Sequence, residues 1–300
     1  MNSYKKALYI YNGNAGKKNV LDILNQTVGV ISAGCKELTI VATKEKGDAE
    51  RICSEKGSSF DLVIILGGDG TVHECINGLS PLLKRPKVAV LPGGTCNDFS
   101  RSLNIPQNLE QAAELIFEGS VQNVDVVKEG ENYFVNFWGT GLITDASENI
   151  NDAIKGVLGR ISYFISAIQT IQNAEPFNVK LNIDEEIIEE RAVMVLVANG
   201  RFIGTNELPF PSLELEDGLV DLFVVKVAGF QLFKELLTVK GSGVVDEKNQ
   251  DIQHYQGKSL KIETEEVQKV DMDGEVYSNT PSELKVLKHH LQFIGIKKTP

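Results

Sequence analysis

Two glycine-rich segments and an acidic run hold the residue types that handle phosphate and protons. The sharpest is Leu66-Gly67-Gly68-Asp69-Gly70-Thr71-Val72-His73-Glu74, where an apolar run ends in three closely spaced glycines and a helical pattern begins. Glycine lets the backbone approach a ligand closely and take positive φ. A helix start adds unpaired N–H groups and a positive dipole end, and both suit phosphate. Asp69 would repel a bare phosphate, and a magnesium ion between the two removes that conflict. The same letters also read as a plain strand-to-helix turn capped by Asp69 or Thr71.

A second glycine turn follows the next apolar run: Leu91-Pro92-Gly93-Gly94-Thr95-Cys96-Asn97-Asp98-Phe99. The first strand adds Tyr11-Asn12-Gly13-Asn14-Ala15-Gly16-Lys17, and the second ends near Thr43, before Lys46-Gly47-Asp48. In a parallel sheet these strand ends open on one edge, where ligands bind. The spacing is neither GxxxxGK[ST] nor GxGxxG, so the usual nucleotide fingerprints are absent. The acidic run is Asp271-Met272-Asp273-Gly274-Glu275. Strand alternation puts Asp271, Asp273 and Glu275 on one face, and clustered like charges raise at least one carboxyl, as suits a general base. A solvated acidic turn fits the same letters.

The elements that must position these residues fall into two textures. Up to about residue 125, short β-branched runs (7–11, 38–42, 62–66 and 88–91) alternate with helical segments (20–31, 48–56 with Asp48 as its cap, and 72–79). That rhythm predicts a parallel sheet covered by helices. Beyond it, strand-like runs at 133–137, 178–183, 192–198, 219–226, 259–264 and 268–272 are joined by turns. Helical patterns near 161–172 and 231–240 interrupt them. The expectation is an α/β N-terminal domain over 1–125 and an antiparallel β-sandwich domain over 126–300, with the last segment packing back on the first domain. No low-complexity linker separates the halves, which predicts a close interface with a cleft, where sites often lie.

Bulk properties narrow the function classes. The formal net charge of −11 argues against a nucleic-acid binder, which carries a basic face. It also argues against a strongly polybasic membrane dock. No apolar run reaches the about 18 residues of a membrane span, and the N-terminus shows no secretory h-region. Cys35, Cys53, Cys75 and Cys96 form no CxxC pair, which suits a reducing cytoplasm.

Gly67-Gly68-Asp69-Gly70-Thr71 together with Pro92-Gly93-Gly94-Thr95-Cys96-Asn97-Asp98-Phe99 resembles the soluble bacterial diacylglycerol kinase and lipid kinase family, related to sphingosine kinases and NAD kinases. The resemblance covers nearly the whole chain. It implies an ATP site made by Asn12, Gly13, Asn14, Ala15, Gly16, Thr43, Gly67, Gly68, Asp69, Gly70, Thr71, Val72, His73, Glu74, Gly94, Thr95, Asn97 and Asp98. Gly13 stands where the family usually has proline, and the expectation is a more flexible loop. Glu214-Leu215-Glu216-Asp217-Gly218-Leu219 resembles the family's magnesium turn, implying the Asp217 carboxylate with carbonyls of Glu214 and Leu219 as ligands. Without the resemblance, Asp217-Gly218 reads as an ordinary hairpin turn. The Asp273-Gly274-Glu275 motif implies Glu275 as catalytic base, Asp273 as its support and a second magnesium near Asp69. The implied activity is transfer of phosphate from ATP to a lipid hydroxyl, diacylglycerol first, at the inner face of the membrane. Relatives imply a homodimer.

Overall fold

The computed structural model describes residues 3–13, 20–142, 144, 175–208, 210, 212–227 and 251–297. The chain divides into two compact units, one of Met1–Val124 with His289–Pro300 and one of Asp125–Lys288. In chain order the first contains β1 (Tyr4–Asn12), α1 (Val20–Ala33), β2 (Cys35–Thr43), α2 (Asp48–Lys56), β3 (Leu62–Gly67), α3 (Asp69–Leu79), β4 (Lys87–Pro92), α4 (Asp98–Ser102) and α5 (Leu109–Glu118). Strand β5 (Ser120–Glu129) leads into the second unit.

Strands β1 to β4 pair in the order β2-β1-β3-β4, all parallel. β3 is buried at all six positions, which is why it reads as an unbroken apolar run. Because the strands are parallel and in register (Asn12 opposite Thr43, Gly67 opposite Pro92), the turns after all four open on one edge.

The second unit contains β6 (Asn132–Phe134), β7 (Phe137–Gly141), β8 (Phe177–Ile183), β9 (Glu186–Ala192), β10 (Met194–Ala198), β11 (Phe202–Ile203), β12 (Asn206–Glu207), β13 (Val220–Val225), β14 (Ile252–Gly257), β15 (Ser259–Thr264), β16 (Lys269–Met272), β17 (Glu275–Asn279) and the start of β18 (Ser282–Gly295). Six strands pair antiparallel in the order β14-β13-β10-β7-β16-β17, and β18-β15-β8-β9 form a second antiparallel run. Trp138, Val195, Leu222 and Val224 from the first meet Leu181, Leu260, Ile262 and Leu284 from the second in one apolar core. The fold is thus an α/β unit with a parallel sheet followed by a β-sandwich.

Several boundaries depart from the sequence reading. Helix α3 begins at Asp69, three residues earlier than its apolar pattern starts, because Gly68 is its N-cap in extended conformation. Asp48 does not cap α2 with its side chain. Gly47 at φ +87 holds the cap position, and the Asp48 carboxylate instead accepts from the Lys44 and Glu45 backbone N–H groups and from Arg51. The run 133–137 is two strands, broken at Val135-Asn136. The run 192–198 likewise splits between β9 and β10. Helix α5 and the long β18 were not legible as elements. The helical patterns near 161–172 and 231–240 lie outside the described residues.

Candidate functional site

In the first unit the two main glycine turns pack backbone against backbone. A Cβ on Gly94 would sit 2.4 Å from the Gly68 Cα, and one on Gly93 would sit 3.1 Å from the Gly67 nitrogen. No residue but glycine fits that approach. A Cβ on Gly67 would meet the Thr71 side chain at 2.5 Å. Gly70 has nothing within 4 Å of its Cβ position, so it faces open space at the start of α3. The Asn97 side chain closes the second turn by accepting from the Gly94 N–H at 2.8 Å and donating to the Gly94 carbonyl at 3.2 Å. Asn97 itself is left-handed at φ +55, a conformation asparagine tolerates.

Asp69 ties the two turns together. Its Oδ1 accepts from the Phe99 N–H at 3.1 Å, in the first turn of α4, where Asn97 provides no side-chain cap. This placement answers why a carboxylate stands in a phosphate-type loop: it fills the capping role of the neighbouring helix. Asp98, the residue before Phe99, is also buried. His73 is buried, with Nε2 3.2 Å from the Asn77 amide nitrogen. The Glu74 carboxylate accepts from the Ala49 N–H at 3.2 Å, joining α3 to the start of α2. A hydrogen bond with Cys53 and burial push the Cys75 thiol well up, so this buried pair is unreactive packing.

On the same edge, Gly13 donates its N–H to the Thr43 carbonyl at 3.1 Å, and a Cβ there would sit 2.7 Å from that oxygen. Gly13 is therefore pinned by a bond that proline could not make, contrary to the flexibility expected of it. Asn12 pairs with Thr43 in the strand register. Asn14, Ala15 and Gly16 lie outside the described residues. The structure thus gathers Asn12, Gly13 and Thr43, and separately Gly67–Glu74 with Gly94, Thr95, Asn97 and Asp98, along one sheet edge.

In the second unit the acidic run is a hairpin, and its alternation is interrupted. β16 ends at Met272, which pairs with Glu275. Asp273 at φ +52 and Gly274 at φ +91 form the two-residue turn between them, as a type I′ turn requires. Asp271, Asp273 and Glu275 therefore do not share a strand face. Asp271 is fully buried and its Oδ1 accepts from the Gly274 N–H at 2.8 Å. The Asp273 carboxylate, also buried, accepts from three successive backbone N–H groups: Val135 at 3.2 Å, Asn136 at 3.0 Å and Phe137 at 2.9 Å. It anchors the bend that breaks β6 from β7. Glu275 is half-buried at the start of the edge strand β17.

At that end of the sheet, Asn199 donates from its side chain to the Val135 and Asp125 carbonyls, while the Asn199 and Gly200 N–H groups both bond the Asn136 carbonyl. These two asparagines organise the bend held by Asp273. Leu208 and Phe210 are buried.

Asp217 and Gly218 do not make a hairpin. They lie in an irregular stretch before β13, with Gly218 at φ +85 donating to Asp125 Oδ2 at 2.5 Å. Asp217 Oδ1 accepts from the Leu219 N–H at 2.9 Å, and the Lys288 ammonium donates to the Asp217 carbonyl at 2.9 Å. Burial, then the Asp221, Asp125 and Glu214 carboxylates, raise the Asp217 carboxyl above its usual range. Among the described residues no three His, Cys, Asp or Glu side chains converge as a metal cage. A hard cation here would draw on the Asp217 carboxylate and the Glu214 and Leu219 carbonyls, and the crowded negative charge fits such an ion.

A parallel sheet with interlocked glycine turns at its carboxyl edge, joined to an antiparallel sandwich with an Asp-Gly-Glu hairpin, has the architecture of a phosphate-transferring α/β-plus-sandwich protein. Residues 6–129 match the diacylglycerol kinase catalytic domain, and residues 139–295 match the YegS C-terminal NAD kinase beta sandwich-like domain. The chain belongs to this family of lipid kinases. A protein named "Putative lipid kinase" from Staphylococcus aureus (strain Newman) is 34% identical over 300 residues, covering 98% of each chain. A solved structure, "Crystal structure of a putative diacylglycerol kinase from Bacillus anthracis str. Sterne", superposes with a TM-score of 0.90 at 44% identity, covering 98% of each chain. A second, "A putative diacylglycerol kinase from Bacillus anthracis str. Sterne", gives 0.87 at 42% identity with the same coverage.

Proposed function

We propose that the protein is an ATP- and magnesium-dependent lipid kinase that phosphorylates the free hydroxyl of diacylglycerol to give phosphatidic acid. The observation that carries this reading is the backbone packing of Gly68 on Gly94, beside Gly70, which faces open space at the start of α3. Family membership supports ATP as donor and a lipid alcohol as acceptor.

In this reading the glycine turns hold the triphosphate, and Asp69 fixes both turns and would help hold the catalytic magnesium. A magnesium held there would supply neutralisation of charge on the transferring phosphoryl group. Glu275 takes the proton of the acceptor hydroxyl, whose oxygen bonds to the γ-phosphorus as the bond to the β-γ bridging oxygen breaks and ADP leaves. Positioning and charge neutralisation supply most of the acceleration. Asp273 supports Glu275 by fixing the hairpin. The Asp217 turn would hold a separate, structural magnesium.

Among the described residues no helix is long and apolar enough to cross a membrane. The proposal places the enzyme in the cytoplasm as a homodimer that meets its lipid peripherally, at the inner membrane face. The test is transfer of radiolabel from [γ-³²P]ATP to diacylglycerol, monoacylglycerol, ceramide, sphingosine, phosphatidylglycerol and NAD in mixed micelles. Diacylglycerol should be the best acceptor. Preference for a sphingoid base or NAD would replace it, and ATP binding without turnover on any acceptor would mark a non-catalytic regulator.

A further inference from the structure

The glycine turns carry a charge problem. Asp69 and Asp98 are both buried at them, and a triphosphate arriving there adds more negative charge. A cation is needed on the same edge. Arg51, on α2, is committed: it lies 2.7 Å from Asp48 and 3.6 Å from Glu55. Arg101 is not. It sits in the last turn of α4, directly after the second glycine turn, and its Nε donates to the Cys96 carbonyl at 2.8 Å.

That bond holds the guanidinium against the turn and uses one of its five N–H donors. Among the described residues no carboxylate pairs with the remaining fork. A planar fork with paired donors is the group that matches phosphate oxygens two at a time. The backbone places it well, because Arg101 N–H bonds the Asn97 carbonyl and Asn97 in turn closes on Gly94.

We infer that Arg101 is a phosphate-binding residue of the nucleotide site, its guanidinium fork contacting the triphosphate that the two glycine turns receive. The inference rests on the reading of those turns as an ATP site. A purely structural Arg101 would do no more than brace the Cys96 carbonyl. The two roles differ in which ligands feel its loss.

The test measures binding of ATP, inorganic tripolyphosphate and adenosine to the wild type and to Arg101→Gln and Arg101→Lys by calorimetry, without lipid. Losing a charge-assisted contact should weaken ATP and tripolyphosphate about 10- to 100-fold in Arg101→Gln, with adenosine unchanged. Arg101→Lys, which keeps the charge without the fork, should fall between and provides the reading if the glutamine variant folds poorly. Equal weakening of adenosine and tripolyphosphate, or unchanged affinity for both, would overturn the inference. If ATP binding depends on Arg101 but no lipid is phosphorylated, the proposed function fails and the inference stands. A wild type that binds neither ATP nor tripolyphosphate sinks both.

Discussion

The glycine turns of the first unit and the acidic hairpin of the second use opposite materials for the same task. In the first, geometry is set by the absence of side chains: Gly68 and Gly94 approach so closely that a Cβ on Gly94 collides with backbone. In the second, geometry is set by carboxylates that grip backbone N–H groups, Asp273 on three and Asp271 on one. A glycine that is needed announces itself in a sequence. A carboxylate that braces is not marked in the sequence, and only the folded chain shows Asp273 gripping three backbone N–H groups.

The largest expected effect on function comes from filling the glycine contact. Gly94→Ala places a methyl against the Gly68 Cα, which cannot move without shifting α3. The expected cost is about 1–3 kcal/mol of stability and loss of ATP binding, read by thermal denaturation and calorimetry. Unchanged ATP affinity would show that the turns do not form the nucleotide site. Next is Asp273→Ala, which strands three buried N–H groups. It should cost about 3 kcal/mol in chemical denaturation, and an undiminished unfolding midpoint would break the contrast drawn between the two carboxylates.

Gly13→Ala should be milder. Its methyl meets one carbonyl oxygen, that of Thr43, at the end of a strand pair. Loss of about 1 kcal/mol, with a raised KM for ATP and an unchanged KM for lipid, is expected in steady-state kinetics. An effect on the lipid KM alone would move Gly13 out of the nucleotide site.

The smallest effect concerns Asp217. Its carboxyl is raised in the folded protein by burial and then by neighbouring carboxylates. The folded state therefore holds that proton more tightly than the unfolded chain. The associated stability is present below the ordinary value of 3.8 and is lost as pH rises through the raised folded value. At neutral pH the metal-free protein carries this cost, and magnesium would relieve it. Asp217→Asn should raise the metal-free melting temperature slightly and abolish the upward shift that magnesium chloride gives the wild type. A magnesium shift that survives the substitution would place the ion elsewhere.

Much of the fold was legible because buried parallel strands cannot hide. The runs at 62–66 and 88–91 have no polar residue to interrupt them, and each leads into a glycine turn. Helix α5 was missed although Ala112, Ala113, Ile116 and Phe117 make a buried stripe, since alanine adds little contrast to such a stripe. β18 was missed because Val286-Leu287 gives way to Lys288-His289-His290, which breaks the alternation at the middle of the strand, where His289 takes φ +52. The two Asp-Gly pairs show how local chemistry misleads. Asp217-Gly218, a good hairpin signal, sits in an irregular stretch held by Asp125. Asp273-Gly274, which reads either as part of an alternating strand or as an acidic turn, is the real hairpin turn. Both glycines take positive φ, and long-range partners decide which pair joins strands. Asp69 was visible as an anomaly, while its bond to Phe99, 30 residues away, was not.

The central claim divides the work: glycine turns bind ATP, and Glu275 takes the acceptor's proton. Glu275→Gln keeps the shape of the side chain and removes its basicity, so one protein tests both halves. Calorimetric ATP affinity and single-turnover transfer of ³²P to diacylglycerol should be measured on the same preparation. The account predicts wild-type ATP affinity with transfer slowed about 10²–10⁴-fold. Transfer at the wild-type rate would contradict it.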